Sequence, residues 1–227
     1  MSLLDEYRAG DHAGVWARLV AAGPALREDP DAWRDARAVA RETMRRARAN
    51  AERLHDALRA DGYAFAADAP LRDPEPDAAA RLDAVEARIG PLPLSLRAWL
   101  EEVGAVDLNG RHPDWPDVMT DALVVDPAPG GGSPSEAILA EHDERGGGPF
   151  PLPLAPDYLH KAGISGGEPY ATWLPDAAAD ARWHGDDLHR GTFVEYLRSA
   201  FAACGFPGFA RHPEVTAPSL PVRLDPL

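Results

Sequence analysis

The apolar positions from Leu82 to Val106 set out two helices and the elbow between them. Leu82, Val85 and Ile89 recur at three- and four-residue steps and stop at Gly90, the spacing of one buried helix face. Pro91 and Pro93 follow. Each ring fixes φ and disfavours helix at the residue before it, so the chain must run extended there. Leu96, Trp99, Leu100 and Val103 then mark a second helix, with Gly104 as its stop. Upstream, Leu3, Leu4 and Tyr7, and then Val15, Trp16, Leu19 and Val20, predict one helix or two short ones, interrupted at Gly10-Asp11. The longest predicted helix runs from about Asp31 to Ala60, with Asp29 as N-cap and Pro30 at its first position. Trp33, Ala36, Ala40, Met44, Ala47, Ala51, Leu54 and Leu58 form its seam. Small alanines there let a neighbouring helix approach closely.

A strand pattern shows first after the long helix and then, mainly, after Gly104. Gly62 to Phe65, Val106 to Leu108, Ala122 to Asp126, Tyr170 to Leu174 and Asp180 to His184 are short, alternating or β-branched, and predict strands. Asn109-Gly110 is a hairpin-turn signal. Phe150 to Ala155 is interrupted by prolines and fits an edge strand. Ser135 opens a short helix through Ile138 and Leu139, and Asp157 starts a turn or short helix to Lys161. Thr192 caps a closing helix with Phe193, Val194, Leu197, Ala200 and Phe201 inward. The order of helices, short strands and closing helix predicts an α+β fold with a central, mostly antiparallel sheet flanked by helices. The predicted organisation is an N-terminal helical extension over residues 1–66, a linker at Pro70 to Pro76, an α+β unit over 77–210, and an extended tail over 211–227 that lies on the surface or frays.

Charge sharpens this picture. The 227 residues carry a net −14; residues 1–66 hold 11 acids and 11 arginines, so the whole excess falls beyond residue 66. An acidic unit repels nucleic acid, whose binding requires basic side chains against phosphates, and attracts basic proteins at long range. No apolar run reaches the ~20 residues of a membrane span, and the acidic, polar start does not read as a secretory signal. A cytoplasmic location is expected. The one cysteine, Cys204, excludes an internal disulfide and reads as a buried thiol.

Candidate chemistry is sparse. His184, Asp186, Asp187 and His189, with Asp157 and His160, are the residue types of a metal site. The five-residue step between His184 and His189 does not match helical or strand ligand spacing, and exposed turns explain these residues better. His112 and Asp114 precede Trp115 in a loop, but no serine or cysteine sits in a nucleophile elbow. Ser165-Gly166-Gly167 fits a tight turn, and Lys161, the single lysine, reads as a lone exposed one. The glycine triplets at 130–132 and 146–148 lack the Gly-Lys-Ser/Thr of a phosphate loop. Arg37, Arg41, Arg45 and Arg48 form a stripe on the long helix, interspersed with acids and read as a solvated face.

The run Ile89-Gly90-Pro91-Leu92-Pro93-Leu94-Ser95-Leu96 followed by Trp99, the turns at Val103-Gly104 and Asn109-Gly110, and the strand Ala122 to Val125 resemble the SMI1/KNR4 (SUKH) superfamily. The segments 156–180 and 193–209 resemble its bacterial branch, and the likeness covers about Asp77 to Phe209. The resemblance implies an antiparallel sheet flanked by helices and a binding module without catalysis or cofactor. Many bacterial members look like immunity proteins against secreted toxins, often nucleases, and fungal relatives act as signalling scaffolds. It carries no active-site residues to transfer. The expectation is therefore a protein that binds a basic protein partner, with Trp115, Asp114, Asp117, Asp121, Trp173, Asp176 and Asp180 as the contact residues, and with no metal, nucleic acid or membrane involved. The alternatives are a scaffold that forms a homodimer through the long helix, and a metal-dependent hydrolase using Asp157, His160, His184 and His189.

Overall fold

A computed structural model describes residues 2–217 and 219–227. The two N-terminal helices are separate, α1 (Leu3–Arg8) and α2 (His12–Ala22), and a single 3-10 turn at Gly23–Arg27 leads to α3 (Pro30–Asp61). Asp29 caps α3 by accepting from the N–H groups of Asp31 (2.9 Å) and Ala32 (3.1 Å), and Gly62 ends it at φ +96°. The seam expected on α3 is buried: Ala36, Ala40, Met44, Ala47, Ala51, Leu54 and Leu58 are all at most 1% exposed. It is filled by this chain's own α1, α5 and neighbouring segments. That occupancy removes the seam as a surface for pairing with a second copy. The trade is favourable because alanines leave room for close helix approach without side-chain entropy loss.

The elbow is held by charges, not by prolines alone. Helices α4 (Ala78–Ile89) and α5 (Leu94–Glu102) flank it. Glu86 accepts from the Leu92 N–H (2.8 Å), and Arg27 donates to the Leu92 carbonyl (2.6 Å). The buried Arg97 of α5 pairs with Asp83 (2.7 Å), Glu86 and Glu101 (2.8 Å). An extended elbow leaves backbone groups unpaired, and these side chains satisfy them. The arginine stripe of α3 faces the same region. Arg41 and Arg45 pair with Glu101 and Glu102 of α5, and Arg48 pairs with Glu52 and Asp73. Arg41, Arg45 and Arg48 thus form an ion-pair network at the surface, with side chains 37–53% exposed, as a solvated face would have.

The strands are antiparallel and short. β1 (Ala64–Phe65) pairs with β4 (Gly110–Arg111); β2 (Leu71–Arg72), β3 (Ala105–Asp107) and β5 (Val124–Val125) form a three-stranded piece; β6 (Phe150–Ala155) pairs with β7 (Tyr170–Leu174), and β8 (Arg182–Trp183) with β9 (Gly191–Thr192). Single links join the pieces: the Asp126 N–H donates to the Leu154 carbonyl (2.7 Å), and Ala171 and His184 exchange backbone bonds. The fold is α+β as expected, with four small pieces in place of one central sheet. Asn109-Gly110 does not close a hairpin on β3. The Asp107 carboxylate accepts from the Asn109 N–H (2.9 Å) and turns the chain outward, so Gly110 pairs with Phe65. Only glycine fits, since a Cβ there would lie 2.3 Å from the Ala64 carbonyl oxygen.

β6 is a full six-residue strand despite Pro151 and Pro153. The N–H of Ala171, opposite Pro153, donates to His184 on the far side, so Pro153 and Pro151 turn their ring nitrogens away from β7. The missing donors therefore cost no ladder bond. Helices α6 (Pro134–Glu144), α7 (Tyr158–Lys161) and α8 (Phe193–Ala202) complete the layers, with a 3-10 turn at Pro207–Arg211. The hydrophobic cluster runs unbroken from Tyr7 to Leu227, through both residue 66 and residue 210. The tail is docked, with Leu220 and Leu227 buried. Cys204 is half-buried against this cluster, at φ +50° after α8.

Asp180 sits inside, at the start of α8, where the Val194 N–H donates to its carboxylate (3.3 Å). Burial raises its pKa from 3.8 to about 6, against hydrogen bonds that lower it. An acid whose folded pKa exceeds its unfolded one binds its proton more tightly in the fold. Its contribution is fully present below about 4 and is lost as pH rises through about 6. Asp180→Asn keeps an acceptor for Val194 and removes the charge. Urea unfolding should show the variant more stable than the parent near neutral pH, by at most about 3 kcal/mol, with no such gain at about pH 4. A variant less stable at neutral pH would show that the carboxylate charge, and not its shape, is needed there.

Candidate functional site

A cleft of about 990 Å³ lies between the β1–β4 pair, the loop from Arg111 to Asp121, and α7 with the turn after it. Tyr63, Arg111, Trp115, Asp117, Ile164 and His212 are among its lining residues, and Asp121 and Lys161 back its floor. One wall is aromatic. Trp115 is half-buried against Phe206 (4.9 Å between ring centroids), Tyr63 (5.3 Å) and Phe209 (6.0 Å), with His112 stacked on it at 5.2 Å. His112 is itself fixed: its Nε2 donates to the Asp61 carbonyl (2.7 Å), and its Nδ1 accepts from the Asp114 N–H (3.1 Å). Two prolines flanking Trp115 stiffen the loop, so the wall is prebuilt. Asp114 and Asp117 are exposed on the same loop, with no ion-pair partner among the described residues.

The floor is a buried polar knot. Asp121, at φ +48°, points its carboxylate inward. Its Oδ1 accepts from the Lys161 ammonium (2.7 Å), and its Oδ2 from His189 Nε2 (2.6 Å) and the Tyr170 hydroxyl (3.1 Å). The Tyr170 hydroxyl also lies 3.0 Å from Asp186, which pairs with Arg211. The side chains of Lys161, Asp121 and His189 are 2%, 0% and 0% exposed. Burial pushes the Asp121 carboxyl up, but the bond from His189 and the charge of Lys161 outweigh it and hold the carboxyl down at about 2. Burial lowers the Lys161 ammonium, and Asp121 opposes that shift. Burial, with Asp121 and Asp186 nearby, pushes the Tyr170 hydroxyl far above its usual range. Both carboxylate oxygens of Asp121 are taken, and the Lys161 side chain is 2% exposed. The knot ties α7, β7, the 184–190 loop and the final 3-10 turn to the cleft loop.

No match to a protein-family model, to a curated protein or to a solved structure is found.

The expected contact residues divide. Trp115, Asp117 and Asp121 line the cleft, with Asp114 beside them. Asp121 belongs to the floor and not to a contact face, because its charge is neutralised inside. Asp180 is likewise buried, as a partner of the α8 N-terminus. Trp173 is 48% exposed on β7, opposite Pro151, and Asp176 is half-buried with its carboxylate on the Ala178 N–H (2.9 Å); neither lines the cleft. Lys161 is not exposed, contrary to expectation. The metal set is dispersed: His189 is held by Asp121, His160 by the α7 cap Asp157, and His184 is exposed. Among the described residues no group of three or more His, Cys, Asp or Glu could hold a metal ion. Ser165 lies exposed in the turn after α7, with no base hydrogen-bonded to it among the described residues. No helix among the described residues is long and apolar enough to cross a membrane. Tyr170 and Arg211 were not legible as site residues, since an aromatic in a strand and an arginine in a turn carry no distinguishing pattern. Lys161 did carry one, as the sole lysine among 23 basic residues.

Proposed function

We propose that the chain is a non-catalytic protein-binding module of the SMI1/KNR4 type, which grips a basic protein at the cleft. The observation that carries the reading is the division of labour there. Lys161, His189 and Tyr170 are spent on Asp121 in the floor, whereas Asp114 and Asp117 stand exposed beside a rigid Trp115. An aromatic anchor bordered by free carboxylates is the composition of a recognition surface for a cationic partner. Neutralising a basic, nuclease-like toxin is the role within this reading that the family resemblance and the acidic balance favour.

Affinity capture with the full chain, from a lysate of its source at low and at high salt, tests it. A basic partner is expected that is retained at low salt and released at high salt. Asp114→Arg with Asp117→Arg should slow association at least ~10-fold and flatten its salt dependence, because exposed charges act on encounter rate. Capture of an acidic partner, or association unchanged by the double variant, would defeat the proposal.

A further inference from the structure

The last residues of the chain, Val222 to Leu227, lie along α3 and beside α8 as an extended segment outside every helix and strand. The contacts are made from side chains of the helices to the main chain of the segment. Asn50, itself fully buried on α3, both donates to the Asp225 carbonyl (2.8 Å) and accepts from the Asp225 N–H (2.8 Å). That two-way pairing is what a neighbouring strand would offer. Arg46 donates to the Pro226 carbonyl (3.2 Å) and Arg198 to the Leu227 oxygen (2.8 Å). Arg53 pairs with the Asp225 carboxylate (2.8 Å). Leu227 is 5% exposed, inserted in the core cluster.

This is the chemistry of peptide recognition: main-chain bonds supply attachment, and a few pockets supply selectivity. We propose that the surface formed by Asn50, Arg46, Arg53 and Arg198 is a peptide-binding groove, held in cis by the chain's own tail, that accepts in trans an extended acidic segment of a partner protein carrying Asp-Pro-Leu. Arg53 meets the Asp225 carboxylate, so the groove selects an acidic side chain at that position, while Arg46 and Arg198 hold main-chain oxygens. Asp225 precedes a proline, so the bound conformation is extended before binding, and little ordering entropy is lost. Release uncovers Leu220 and Leu227 but is local in the backbone. From Pro213 to Pro221 the described residues form no helix or strand, so the tail leaves without dismantling an element. The inference does not depend on the cleft or on what the cleft binds.

The test uses the full-length protein and a fluorescent synthetic peptide with the sequence of residues 219–227. The tail is weakened from its own side by Asp225→Arg with Leu227→Asp, which leaves the groove intact. Fluorescence anisotropy should show the peptide binding this variant at least about tenfold more tightly than it binds the parent, whose tethered tail competes at an effective concentration in the millimolar range. Adding Arg53→Glu, at a partly exposed position, should weaken peptide binding about tenfold again. Hydrogen exchange should show the amides of residues 223–227 protected in the parent and released in the tail variant. The proposal is overturned if the peptide binds neither protein, binds both equally, or ignores Arg53→Glu. It is also overturned if the tail amides stay protected in the variant. A parent dimer that forms with concentration and disappears in the tail variant would give the groove to a second copy's tail, against a partner segment.

Discussion

Asp121→Asn is expected to destabilise the protein by about 3–5 kcal/mol, the usual cost of breaking a fully buried ion pair from one side. The substitution is nearly isosteric, and asparagine tolerates the left-handed conformation that Asp121 adopts at φ +48°. What it removes is the charge. Lys161 is then left 2% exposed with no counter-charge on its Nζ contact, and His189 and Tyr170 lose their ionised acceptor. Replacing Lys161 by methionine in the same chain should recover part of the loss, since the orphaned cation goes with it. The pH profile gives an independent reading. The Asp121 carboxyl is held down at about 2 from 3.8, so its contribution is present above about 4 and is lost as pH falls through about 2. The acid limb of the stability curve should therefore flatten in the variant. Urea unfolding across pH measures both effects. A single variant within about 1 kcal/mol of the parent, the scale of an exposed pair, would mean that water already screens the knot.

Gly104→Ala is expected to be comparably damaging, for a steric reason. Gly104 has φ +87°, and a Cβ there would sit 2.3 Å from the Arg72 carbonyl oxygen, 2.6 Å from the Asp73 carbonyl carbon and 2.7 Å from the Pro74 nitrogen. All three are backbone atoms, so nothing flexible can give way, and the β2–β3 pairing must shift. Conformational strain of about 1–3 kcal/mol adds to an overpacking cost of about 1–3 kcal/mol. Gly130 offers the control: φ is +82°, yet nothing lies within 4 Å of its added Cβ. Gly130→Ala should cost only the conformational part. Equal losses at the two positions, measured by thermal unfolding, would remove the close approach at Gly104 as the cause.

These two sites mark where the sequence could be read and where it could not. Helices were legible because their apolar residues repeat locally: the seam of α3, the face of α8 and the pair around the elbow all lie where periodicity puts them. Gly104 was legible as a stop, though not as the point where Arg72 passes. The strands were legible as types more than as partners. Val124 and Val125 read as a strand from their own side chains, but their register with Asp107 and Val106 is set by chain segments far apart. Asn109-Gly110 misled because its turn signal says nothing about which strand receives the chain. The polar knot was illegible for the same reason. Successive members of the set Asp121, Lys161, Tyr170, His189 and Arg211 lie nine to 40 positions apart in sequence, and only the fold makes them neighbours. Burial reverses their meaning, turning an apparent surface aspartate and an apparent surface lysine into one internal pair.

The two prolines of β6 carry a consequence for recognition and for solubility. An incoming extended chain needs a regular row of donors to lengthen a sheet, and Pro151 and Pro153 delete that row from the side of β6 facing away from β7, up to the Leu154 carbonyl that the Asp126 N–H already fills. A visitor cannot join there as an extra strand, and copies of the protein cannot zip edge to edge through it.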